Sequence, residues 1–146
     1  MQISKIGSPG KTIAFVIGPS QTDLTVKGAS APAASIPDSS TSGLSDIIKI
    51  EQEGKVTKLS VSVDISHSNI GNLRVELLSP GGKRAILHNR TGLGKKDLQK
   101  SYDSKTTAAL TTFIGQPLKG KWTLTVRDLV KRDTGKLNKW SIELGY

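Results

Sequence analysis

No cysteine occurs in this chain, which removes disulfide staples, thiolate metal sites and a cysteine nucleophile together. Histidine is almost as scarce: His67 and His88 stand well apart, too few for a zinc site. They are also the only candidates for the base of a Ser-His-Asp triad, and no G-x-S-x-G elbow or comparable nucleophile context accompanies them. Aromatic residues are 4% of the chain, and acids number 12 against 21 lysines and arginines. The paired carboxylates of a glycosidase are therefore poorly supplied, and Asp38 and Asp133 read as turn formers beside Pro37 and Thr134-Gly135. No apolar run reaches membrane-span length. The short patch Ile13 to Ile17 lacks the continuous core and small-residue cleavage site of a secretory signal and reads instead as a strand. The segment Gly92-Leu93-Gly94-Lys95-Lys96 lacks the spacing of a phosphate loop, and Asn89-Arg90-Thr91 is a formal glycosylation sequon.

What is abundant is positive charge, formally +9, with two rich stretches at Lys95/Lys96/Lys100/Lys105 and Arg127/Lys131/Arg132/Lys136/Lys139. Such a surface attracts polyanions at low salt, whether nucleic acid, anionic lipid or acidic polysaccharide. Aromatic side chains for base stacking are missing among the lysines, so specific nucleic-acid binding is not expected.

The 146 residues suit one domain. Thr12 to Ile17 and Thr22 to Val26 are expected to pair as a hairpin, followed by the linker-like run GASAPAASIPDSSTSG. A boundary near Ser35 divides the chain into a 1–35 extension and a 36–146 module. Strands follow at sandwich spacing: Ile47, Ile48 and Ile50; Leu59, Val61, Val63 and Ile65 alternating with Ser60, Ser62 and Asp64; Leu73, Val75 and Leu77; then Arg84 to His88 after Pro80-Gly81-Gly82. Thr91 to Ser104 reads as a long irregular loop, and Thr106 to Ile114 has near-helical apolar spacing. Gly120 to Tyr146 reads as two amphipathic strands joined by a polar loop, a hairpin with Trp122, Leu124, Val126 and Trp140, Ile142, Leu144 facing inward. The fold class is all-β, an antiparallel β-sandwich of jelly-roll type.

That last stretch also carries a resemblance. G-x-W-T-L-x-V-x-D from Gly120, then D-T-G-x-L-x-x-W-S-x-x-L from Asp133, is similar to the closing signature of the P domain. This module follows the catalytic domain in proprotein convertases and secreted bacterial subtilisin-like proteases. VSVDISHSNIGNLRVELLSPGGKRAIL resembles its central block, and Ile36-Pro37-Asp38 with Gly43 its opening. The resemblance covers residues 36–146. It implies a non-catalytic accessory role: docking on a subtilisin-like protease domain in cis or in trans, supporting its folding and its calcium or pH response, and engaging protein substrates. It implies a secreted or cell-surface parent. It also implies a structural calcium ion, which needs about six to eight oxygens gathered from loops. The candidates are Asp64, Asn72 and Asp128, then Asp97 and Asp103. Gly71-Asn72-Leu73 stands where the family usually has G-D-L, which lowers the ligand charge. The alternative is a free-standing module for polysaccharide or another polyanion, with Tyr102, Tyr146 and Phe113 as the aromatic platforms left once both tryptophans are buried.

Overall fold

The computed structural model describes residues 24–146. The hairpin strand expected at Thr12 to Ile17 lies outside them; of its expected partner, Thr25 and Val26 open the first strand. Among the described residues the strands are β1 (Thr25–Ser30), β2 (Ala34–Ile36), β3 (Leu44–Ile50), β4 (Lys58–His67), β5 (Leu73–Leu78), β6 (Arg84–Asn89), β7 (Leu98–Asp103), β8 (Gly120–Asp128) and β9 (Gly135–Gly145). One sheet has the order β1-β9-β4-β7, with β2 also pairing β9, and the other β3-β8-β5-β6. Every named pairing is antiparallel. The expected all-β sandwich is what forms.

The alternation that predicted the strands also sorts their faces. In β4, Leu59, Val61, Val63 and Ile65 are buried, while Ser60, Ser62 and Asp64 are half-exposed on the other face. In β8, Trp122, Leu124 and Val126 turn to the same core from the opposite sheet. Burying such side chains from water is the main driving force for closing the two layers, at about 1.5–3 kcal/mol each. Each tryptophan also satisfies its one donor. Trp122 Nε1–H donates to the Leu118 carbonyl at 2.9 Å, and its ring meets Phe113 edge-on with centroids 5.4 Å apart. Trp140 Nε1–H donates to Asp46 Oδ2 at 2.7 Å, a bond from β9 across the core to β3 of the other sheet.

Four expectations change. Gly120 to Tyr146 is not a hairpin: β8 pairs with β3 and β5, whereas β9 pairs with β1, β2 and β4. Both strands bury one face, and the loop between them carries the chain from one layer to the other, so those faces oppose across the core. The loop read over Thr91 to Ser104 contains β7, which pairs with β4 from Ile65↔Leu98 to Ser60↔Asp103. Its alternation was hidden because Lys100 occupies an inward position between Leu98 and Tyr102. On an edge strand that position lies beside solvent, and an inward charge there discourages further pairing. The Lys100 ammonium lies 5.2 Å from the Tyr102 ring centre. Thr106 to Ile114 resolves into a 3₁₀ turn over Ala108–Phe113, with Leu110 and Phe113 buried three residues apart, the period of that helix. Finally, Gly28 to Ser30 and Ala34 to Ile36 of the linker-like run are strand, registered along β9 from Thr25↔Gly145 to Ser30↔Trp140 and from Ala34↔Leu137 to Ile36↔Gly135.

Candidate functional site

One end of the sandwich gathers residues 68–72, 90–97 and 129–134, and its centre is His67. β4 ends on His67 and β8 ends on Asp128, and both side chains are fully buried. His67 Nδ1 accepts the Asn69 N–H at 3.0 Å, so the ring proton is assigned to Nε2, which donates to Asp128 Oδ2 at 2.9 Å. Asp128 Oδ1 accepts the Val130 N–H at 3.1 Å. The His67 backbone exchanges a pair of bonds with Asp97: its N–H donates to Oδ1 at 2.9 Å, and its carbonyl accepts the Asp97 N–H at 3.0 Å. Asp133 accepts from Ser68 Oγ at 2.9 Å and from Asn72 Nδ2. Gly135 opens β9 where a Cβ would lie 2.1 Å from the Ser66 carbonyl oxygen, which gives the D-T-G of the closing motif its physical reason.

This arrangement positions loops; it does not activate a nucleophile. Both ring nitrogens of His67 are engaged, and the nearby Ser68 hydroxyl donates to Asp133 instead of to the imidazole. His88, the other histidine, is buried with Nε2 2.8 Å from the Ile70 carbonyl.

Of the five calcium candidates, Asn72, Asp97 and Asp128 come to this end. Asp64 and Asp103 lie on the outer face of the first sheet: Asp64 Oδ1 accepts from Asn138 Nδ2 at 3.1 Å, and Asp103 Oδ1 caps the Lys105 N–H at 2.7 Å. Among the described residues no group of three or more His, Asp or Glu gathers as for a metal. N–H groups of the fold bond both Asp128 oxygens and one oxygen each of Asp97, Asp64 and Asp103. Asn72, Asp97 and Asp128 are thus the candidates that share one end of the sandwich, and of these Asp128 has both carboxylate oxygens engaged by the fold.

The outer face of the second sheet holds a feature the sequence did not reveal. Glu76 is buried at an outward position under three arginines: Arg74 Nη2 at 3.2 Å, Arg127 Nη1 at 3.4 Å and Arg84 Nη1 at 3.6 Å. Register brings them together, with Arg74 opposite Arg127, and Leu78 opposite both Arg84 and Thr123. The available signal was outward charge of both signs within Leu73–Leu78, but only strand order identifies the partners. Ile47 on β3 and Ile86 on β6 flank the cluster, half and about one-third exposed. Across the first sheet's outer face runs a groove of about 450 Å³ lined by Ala29, Ser62, Asp64, Lys139 and Trp140 among others. Two of the three expected aromatic platforms are absent from any surface, since Tyr102 and Phe113 are core residues.

A family model described as the proprotein convertase P-domain matches residues 56–144. The chain is 40% identical over 114 residues to the calcium-dependent protease of a Nostoc species, covering 76% of this chain and 17% of that protein. Against proprotein convertase subtilisin/kexin type 6 of Rattus norvegicus it is 33% identical over 91 residues, 58% of this chain and 9% of that one. A serine protease of Aeromonas sobria, solved in complex with a chaperone, shares the fold with a TM-score of 0.70 and 20% identity, over 88% of this chain and 28% of that chain. The chain belongs to the proprotein convertase P-domain family. It is an accessory domain of proteases, not itself catalytic.

Proposed function

We propose that this domain packs against a subtilisin-like protease domain of the same or another chain and stabilises it, with the outer face of the second sheet as the contact. The observation that supports the reading is the combination of family membership with that face, where exposed Ile47 and Ile86 flank the arginines over Glu76. Aliphatic side chains beside unsaturated guanidiniums suit a mixed apolar and acidic protein surface. The parent would be exported or displayed at the cell surface, and assistance to protein substrates would follow from proximity to the protease cleft.

The test is a chimera in which this chain replaces the matching segment of the Nostoc calcium-dependent protease. Retained peptidase activity and melting temperature are expected, with both lost on Ile47→Asp with Ile86→Asp while the isolated domain still folds. A chimera indifferent to that double change would put the contact elsewhere.

We further propose that the packed unit begins near Thr25 and not near residue 36, because β1 hydrogen-bonds along six residues of β9. Calcium enters through the name of the Nostoc relative. Because the five candidates divide between one end of the sandwich and the outer face of the first sheet, we place any calcium requirement in other parts of the parent protein.

A further inference from the structure

We propose that the loop end around His67 docks on an anionic lipid surface, with Leu93 as its inserting side chain and the flanking cations as its electrostatic contact. Leu93 is 81% exposed, the most exposed large apolar residue among those described. Its loop is held in a defined shape. Asn69 Oδ1 accepts the Gly94 N–H at 2.8 Å and the Gly71 N–H at 3.0 Å, the Lys95 carbonyl accepts the Ile70 N–H, and the Gly92 carbonyl accepts the Lys95 N–H. Arg90 and Asp97 at its two ends adopt positive φ, 59° and 60°, a conformation unfavourable for side chains with a Cβ. A leucine projected at the tip of a stapled, locally strained loop gains nothing for the fold.

The neighbouring loop extends the same surface. A Cβ on Gly71 would lie 2.6 Å from the Leu93 Cα, and the adjacent Asn72 carbonyl accepts the Leu129 N–H at 2.9 Å, so the two loops flank one short turn. Val130, Lys131 and Arg132 are exposed on the second loop, as are Arg90, Lys95 and Lys96 on the first and Lys136 beside them. None of these six cations makes an ion pair among the described residues, whose salt bridges all lie elsewhere or involve His67. The four carboxylates at this end, Asp38, Asp97, Asp128 and Asp133, each accept internal hydrogen bonds. Exposed cations thus outnumber carboxylates that are tied into the scaffold.

Two features favour a bilayer over a soluble polyanion. A polyanion offers no apolar phase for Leu93, and none of the residues 68–72, 90–97 and 129–134 is an aromatic for stacking. A membrane interface takes an aliphatic side chain below the headgroups while lysines and arginines meet the phosphates.

The test is co-sedimentation of the full chain with phosphatidylglycerol–phosphatidylcholine vesicles and with phosphatidylcholine alone. Binding is expected to the anionic vesicles only, and to fall with ionic strength. Leu93→Ser should lower the partition coefficient about tenfold, from loss of one buried leucine side chain. Replacing Lys95, Lys96, Lys131 and Arg132 by Gln should lower it by roughly fivefold per charge. Lys49→Gln with Lys121→Gln, on the second sheet, should change it little, and unchanged melting temperatures would separate lost binding from lost folding. Absence of vesicle binding at low salt would overturn the proposal. So would tighter binding to heparin that is indifferent to Leu93→Ser, which would assign the end to a soluble polyanion.

Discussion

Two buried carboxylates, Asp128 and Glu76, are handled in opposite ways. Asp128 is sealed with one partner of fixed tautomer, every contact internal, at the point where three loops meet. Glu76 is covered from outside by three arginines whose side chains stay 23–61% exposed. The first arrangement uses charge to hold backbone in place. The second holds charge at the surface, where its excess of guanidinium remains available to a partner.

Asp128→Ala tests the sealed site with the largest expected effect. It leaves the His67 Nε2–H and the Val130 N–H without their acceptor in a dry place, and should lower the unfolding free energy by about 3 kcal/mol. The loss should be nearly independent of salt, and a urea titration showing under about 1 kcal/mol would mean that water already reaches the pair. Glu76→Gln tests the open site. Discounted for exposed arginines, its cost should be about 1 kcal/mol, and smaller at high salt because screening relieves the three guanidiniums. Equal salt responses in the two variants would erase the distinction.

Tyr102 sharpens the contrast, being a buried polar group whose hydroxyl has no hydrogen-bond partner among the described residues. Burial raises its pKa above the ordinary value. The folded state therefore holds the phenol neutral after the unfolded chain begins to ionise near pH 10, so stability is intact below that pH and lost as pH rises toward the folded pKa. Tyr102→Phe should remove this alkaline loss and raise stability by up to about 1 kcal/mol. A variant that is destabilised at neutral pH would show that the hydroxyl is satisfied in solution. The smallest effect expected is none: titrating calcium to millimolar should leave the melting temperature where EDTA puts it, since the candidates are split between two faces and Asp128 has both oxygens engaged. A saturable rise abolished by Asp97→Ala would reverse that assignment.

Legibility followed the range of the interaction. The inward faces of β4 and β8 could be read directly, because period-two alternation is written in neighbouring residues. The motif around His67 was visible as a string, but its bonds to Asp97 and Asp128 span 30 and 61 residues. β7 is not legible in the sequence because Lys100 breaks the pattern at an edge where solvent tolerates it. The Glu76 cluster is not legible either, because its arginines come from β5, β6 and β8.

The sequence by itself determined strand faces, both buried tryptophans and the family, since each depends on local periodicity or an ordered motif. Only the tertiary structure decided that β8 and β9 belong to opposite sheets. A strand's pattern says which side is apolar, but hydrogen-bond partners are chosen among every strand the chain brings alongside. The same holds for the loop end: Asn69 fixes the loop that carries Leu93, and the Asn72 carbonyl holds Leu129 at the start of the next loop, bonds that no local pattern encodes.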